Sequence, residues 1–156
     1  MEINDAYRFL MRVRELDSQI MREELTIAEI KSSLLPGAIR YDKDKVMTSP
    51  EDRLPEVFAR IDERERKVAE MRERKAEVIE EIDEALKRMA EEIEGDKGRV
   101  QVDILYLFYV KRNSLKDTAD QVGYSIPHCK KMKHWAVENF TRVLKHDAKC
   151  QQDFKT

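Results

Sequence analysis

From Leu54 to Ile93 the chain runs through forty residues with no glycine and with proline only at Pro55. Apolar residues recur there on a seven-residue register, Leu54, Ile61, Val68, Ile82 and Met89, broken once by Lys75. Val57, Met71, Val78 and Ala85 fill a second seam position, flanked by Phe58, Ile79, Leu86 and Ile93. Such a repeat keeps one apolar stripe on one side of a helix, so it predicts a helix over about 49–94 with a coiled-coil seam. The outer face carries acid-first pairs four residues apart: Glu56–Arg60, Asp62–Arg66, Glu63–Lys67, Glu70–Arg74 and Glu84–Arg88. Each contributes about 0.2–0.5 kcal/mol to a helix. At 1.5 Å per residue the element is about 65 Å long, and its single stripe needs a partner in water.

An amphipathic partner precedes it. Phe9, Leu10, Val13, Leu16, Ile20, Ile27 and Ile30 recur at steps of three and four, with Asp5 as a candidate cap. This predicts a helix over 5–33, which Pro36 and Gly37 end, leaving a loop up to Ser49. Ser49 then reads as an N-cap, with Pro50 in the first helical position and Glu51 and Asp52 facing the helix dipole. The shorter helix can fold back on the longer one as an antiparallel hairpin, with the surplus seam joining two chains as a homodimer.

The fold class expected is therefore all-α: a long helical hairpin or coiled-coil arm over 1–94, a small helical domain over 99–146 and a tail over 147–156. With 40% charged residues, four Gly and four Pro, the composition favours long charged helices over a sheet. The net charge of −2 hides an asymmetry. Glu51–Glu94 holds 10 Lys/Arg against 16 Asp/Glu, a net of −6, while Lys111–Lys149 holds 9 against 4, a net of +5. The basic end is the candidate for binding phosphate. "MEINDAYRFLMRVR" has early acids and no apolar run, so it does not read as a signal peptide, and no window approaches the length of a membrane span. Two cysteines suggest a reducing compartment, and the location expected is cytoplasmic.

After "EGDKGRV", where Gly95 and Gly98 suggest a hinge, "VQVDILYLFYV" reads as a helix buried in a small globular unit. Ser114 can cap a short helix, "SLKDTADQV", with Asp117 three residues on in a variant of the capping box. Ala119 is small enough for a close helix crossing, and Gly123 suits a turn needing positive φ. Ser125 caps a last helix running to about Leu144. Two helices joined by a tight glycine turn is the helix-turn-helix plan. On a wheel of 100° per residue, Met132, Ala136, Phe140 and Val143 lie within about 40° of Cys129 and form the core stripe. Pro127, Lys131, His134 and Glu138 fall on the opposite face.

"YVKRNSLKDTADQVGYSIPHCKKMKHWAVENF" resembles the fourth region of bacterial sigma factors, whose helix-turn-helix reads promoter DNA. With the coiled-coil arm before it, the layout resembles small phage and prophage regulators of the ArpU/RinA type of late-gene transcriptional activators. The resemblance covers most of the chain in layout, and Tyr109–Phe140 in motif. Arg112 stands where that pattern usually has glycine, Leu115 where an aromatic is common, and Thr118 where isoleucine is common. "IPH" replaces the usual polar or basic first turn.

The resemblance implies double-stranded DNA as partner, a promoter-linked role with contact to host RNA polymerase, and DNA contacts from Ser125, Ile126, Pro127, Lys130, Lys131 and His134. Lys130 and Lys131 would reach phosphate or the acceptor edge of guanine, His134 a phosphate or a base, and Ile126 or Pro127 a thymine methyl. Ser125 and Lys116 are placed for phosphate, and His128 joins the same first turn.

Zinc is the competing chemistry for His128, Cys129 and His134, with His146 and Cys150 beyond. On one helix these side chains diverge: Cys129 faces the core while His128 and His134 lie about 100° and 140° away. The sequence has no glycine-rich phosphate loop and no nucleophile with an oriented base, so neither an enzyme, a cofactor nor a small-molecule substrate is expected. Trp135, at the edge of the outer face, reads as a residue that packs against the C-terminal tail or a partner and not as a stacking platform. Two other classes remain open. A phage DNA-packaging component of the small terminase kind would form a ring, and a structural coiled-coil adaptor would not bind duplex.

Overall fold

The computed structural model describes residues 3–34 and 50–153, with side chains for 3–34 and 54–146. The expected cap at Ser49 and the loop that precedes it lie outside the described residues. Five α-helices account for the described chain, and no strand occurs among the described residues. They are α1 (Ile3–Ser33), α2 (Pro50–Glu92), α3 (Asp96–Leu105), α4 (Leu115–Val122) and α5 (Ile126–Asp153). A π-helical turn, Tyr106–Val110, extends α3. The all-α class expected from periodicity is thus observed. Asp5 lies inside the first turn of α1, where its charge faces the positive end of the dipole, and so is not the cap.

Packing divides the chain into two compact units. One comprises the described residues of Met1–Glu15 and Ala76–Thr156, the other Leu16–Lys75. In the Leu16–Lys75 unit, Ile20 and Ile27 of α1 meet Ile61 and Val68 of α2, with Ile30, Leu34, Val57 and Met71 around them. Ion pairs flank this strip. Asp17 meets Lys75 at 2.6 Å, Glu24 meets Arg72, Glu23 meets Arg64 at 2.9 Å and Lys31 meets Glu65 at 2.8 Å. From the Asp17–Lys75 pair to the Lys31–Glu65 pair the position falls by ten residues along α2 as it rises by fourteen along α1, so the two segments run antiparallel. Lys75, which breaks the seam in sequence, does so to reach Asp17. Exposed pairs of this kind add little stability, and the apolar strip holds the two helices together.

In the other unit Val78, Ile82, Ala85, Leu86 and Met89 are buried. Of the α2 seam only Phe58 is strongly exposed, so a single chain already covers the stripe expected to be left for a partner. The start of α1 belongs to this unit: Ala6, Leu10 and Val13 are fully buried. Tyr7 meets Tyr109 edge-on and Phe9 stacks on Phe140, with centroids 6.3 and 6.1 Å apart. Gly95, between α2 and α3, has φ 93°, a value that favours glycine. Gly98 instead lies within α3, where a Cβ would come 2.5 Å from the Ile93 carbonyl oxygen. It is a point of close backbone approach and not a hinge.

Candidate nucleic-acid interface

The last two helices owe their arrangement to three local features. Ser114 caps α4 by accepting the Asp117 N–H at 3.1 Å. Thr118, where an aliphatic side chain was the expectation, is fully buried and donates its hydroxyl to the Ser114 carbonyl at 2.9 Å, so its polarity is satisfied. Gly123 closes α4 in the left-handed conformation, φ 78° and ψ 27°, and the Tyr124 N–H returns to the Ala119 carbonyl at 2.9 Å. Ser125 then caps α5, its hydroxyl 3.4 Å from the His128 N–H. The two serine caps and the Gly123 turn agree with the spacing read from sequence.

Beneath these helices Ile104, Ala119, Cys129 and Met132 form one cluster, with Val100, Leu115, Val122 and Tyr124 packed against it. Cys129 is a free thiol with no exposed surface; burial pushes its pKa up, and nearby Lys133 pulls it back in part. It is a packing residue. Ala136, Val137, Phe140 and Val143 continue the buried stripe. α5 runs to Asp153, well beyond the end expected near Leu144, because no glycine or proline follows Pro127 to stop it.

The candidates lie outside the buried stripe. Ser125, Ile126, Pro127, His128, Lys130, Lys131 and His134 of the α5 start are all exposed, as is Lys116 in the first turn of α4. Two of them have side-chain partners. The His128 ring stands edge-on to Tyr124 at 4.6 Å. His134 Nε2 lies 3.2 Å from Glu138 Oε1 one turn on, so a carboxylate orients this imidazole. Trp135 is half exposed, and the tail against which it was expected to pack lies outside the residues whose side chains are described. Among the described residues no three potential metal ligands converge; Cys150 lies outside those whose side chains are described.

The reading of sequence missed Lys133, one residue from the outer face. Its ammonium sits over the Phe108 ring at 4.1 Å, and the Arg14 guanidinium sits over the same ring at 4.3 Å. Arg14 donates through Nη2 to the Phe108 carbonyl at 2.9 Å and, more weakly, to the Asn113 carbonyl at 3.4 Å. It thereby ties the start of α1 to the chain reversal after the π-helical turn. Its Nε is buried without a hydrogen-bond partner, a cost set against the ring contact. Burial lowers the Lys133 pKa, and Arg14 and Lys130 lower it further. Arg112, in the position where glycine is usual, takes φ 59°, the left-handed value that glycine would adopt without strain.

No family model, no curated protein sequence and no solved structure matches the chain. No helix among the described residues is long and apolar enough to cross a membrane.

Proposed function

We propose that this chain is a non-catalytic, sequence-specific DNA-binding regulator of phage or prophage genes, whose helix-turn-helix is α4, the Gly123 turn and α5. One observation carries the reading. The first three turns of α5 expose Ser125, Ile126, Pro127, His128, Lys130, Lys131 and His134 while burying Cys129 and Met132. A rigid helix whose exposed surface offers cations, a hydroxyl, imidazoles and apolar groups has the chemistry of major-groove readout. Lys116, Lys130 and Lys131 supply phosphate contacts that set affinity. Ile126, Pro127, His128 and His134 supply contacts that discriminate between sequences.

The phage setting, host RNA polymerase as a further partner, and action in the bacterial cytoplasm rest on the sigma-region-four resemblance alone. Self-association through the 1–94 helices would bring two reading helices to one site.

The test is duplex binding by fluorescence anisotropy across a salt series. Lys130→Ala with Lys131→Ala should weaken binding at least about tenfold and lower the slope of log affinity against log salt by about 2. Unchanged affinity and slope would remove α5 as the binding element. A ring of many subunits on a mass measurement would favour the packaging alternative.

A further inference from the structure

The α2 seam is largely covered within one chain, with only Phe58 strongly exposed, which directs attention to other faces for self-association. α1 supplies one. Within the Leu16–Lys75 unit, Ser18, Met21, Leu25, Ala28 and Ser32 are all exposed, Met21 and Leu25 each at 57%. Their spacing alternates three and four residues, a second heptad seam on the same helix. With Leu25 set at zero on the wheel, the other four lie within about 60°. Ile20, Ile27 and Ile30, which pack against α2, lie on the far side at about 140–160°. Exposed Arg22 and Glu29 lie along one edge of this stripe, at about 60° and 40° on the same wheel.

We propose that this face is an interface between two copies of the chain, packed antiparallel with the two-fold axis at Leu25. The residue order identifies the occupant, because it is self-complementary about that point. Antiparallel pairing sets Leu25 against Leu25 of the second copy. It sets each Met21 against an Ala28, large against small, and each Ser18 against a Ser32. Along the edge it brings each Arg22 beside a Glu29, both exposed in one chain. Isologous contacts of this kind repeat every favourable pair twice, and the serines and alanine let the backbones approach. Two heptads of helix make an interface at the small end of the specific range, so the dimer is concentration-dependent.

The inference gives a location to the self-association proposed above and does not depend on DNA reading. Its test is sedimentation of the full chain from about 1 to about 100 µM, a window suited to a small interface. Wild type should move from the 18.5 kDa monomer towards twice that mass. Leu25→Glu should stay monomeric with unchanged helicity, while Phe58→Ser on α2 should still dimerise. A wild-type monomer throughout, or a dimer undisturbed by Leu25→Glu, overturns the proposal.

Crosslinking reads the orientation in a Cys150→Ser background. Leu25→Cys should oxidise to a covalent dimer. Ser18→Cys should not, because in antiparallel pairing the two copies of residue 18 stand about 21 Å apart. Ser18→Cys mixed with Ser32→Cys should crosslink. Efficient crosslinking by Ser18→Cys alone indicates parallel pairing and overturns the geometry. A Leu25→Glu monomer that still binds duplex leaves the DNA reading intact, and a dimer that binds no duplex removes that reading alone.

Discussion

Residues 3–15 and 16–33 belong to one helix with one apolar periodicity, yet they are buried to different depths. In the first stretch Ala6, Leu10 and Val13 have no exposed surface, and aromatic rings meet at Tyr7–Tyr109 and Phe9–Phe140. In the second, Ile20 and Ile27 keep 7–8% of their surface, as do Ile61 and Val68 opposite them at 5–7%, and ion pairs line the edges. Neighbour number explains the contrast. Two helices alone can cover only one side of each other, whereas a side chain surrounded by several helices loses all its contact with water. The same amphipathic pattern therefore gives a deep core in one unit and a shallow strip in the other.

This difference can be tested in order of size. Phe140→Ala should cost roughly 3–5 kcal/mol on chemical denaturation, and Ile27→Ala should fall at the low end for its type, about 2 kcal/mol. Equal costs would contradict the assigned depths.

Alkaline pH gives the next effect. Burial, then the neighbouring Tyr7, pushes the Tyr109 phenol up to about 12, against a smaller opposing pull from Arg14. The folded state thus keeps a proton that the unfolded chain, with its ordinary pKa near 10, gives up. Stability from this group is complete below pH 10 and falls as pH rises from 10 towards 12. Relative to Tyr109→Phe, the wild type should lose up to roughly 2 kcal/mol over that window, measured as the pH dependence of unfolding. Parallel pH curves would show that the phenol is not buried.

The smallest effect belongs to the ion-paired strip. Asp17→Asn should cost about 0.5–1 kcal/mol at low salt and less at high salt, because the Lys75 partner stays near solvent. A salt-independent cost would mean that the pair is more deeply desolvated than its exposure implies.

Much of the fold was legible because helices announce themselves locally. The caps at Ser114 and Ser125, the left-handed turn at Gly123 and the inward stripe from Cys129 to Val143 each depend on residues a few positions apart. The exposure of Lys130, Lys131 and His134 follows from the same 3.6-residue period. The pairing of His134 with Glu138 was within reach of spacing, since both fall on one face one turn apart. Gly98 was misread because a glycine beside a helix end has the same local appearance whether it bends the chain or lets a carbonyl approach.

By itself the sequence determined the helical class, the caps of α4 and α5 with the Gly123 turn between them, and which residues of the α5 start meet water. Those properties come from backbone propensity and periodicity within single segments. Only the tertiary structure decided that the start of α1 packs in the unit of α3, α4 and α5, that Arg14 and Lys133 share the Phe108 ring, and that the α2 seam is already covered. Apolar stripes are interchangeable in pattern. Which stripe meets which is set by volume, ring geometry and the reach of single side chains across nearly a hundred residues of intervening chain, as from Arg14 to Phe108.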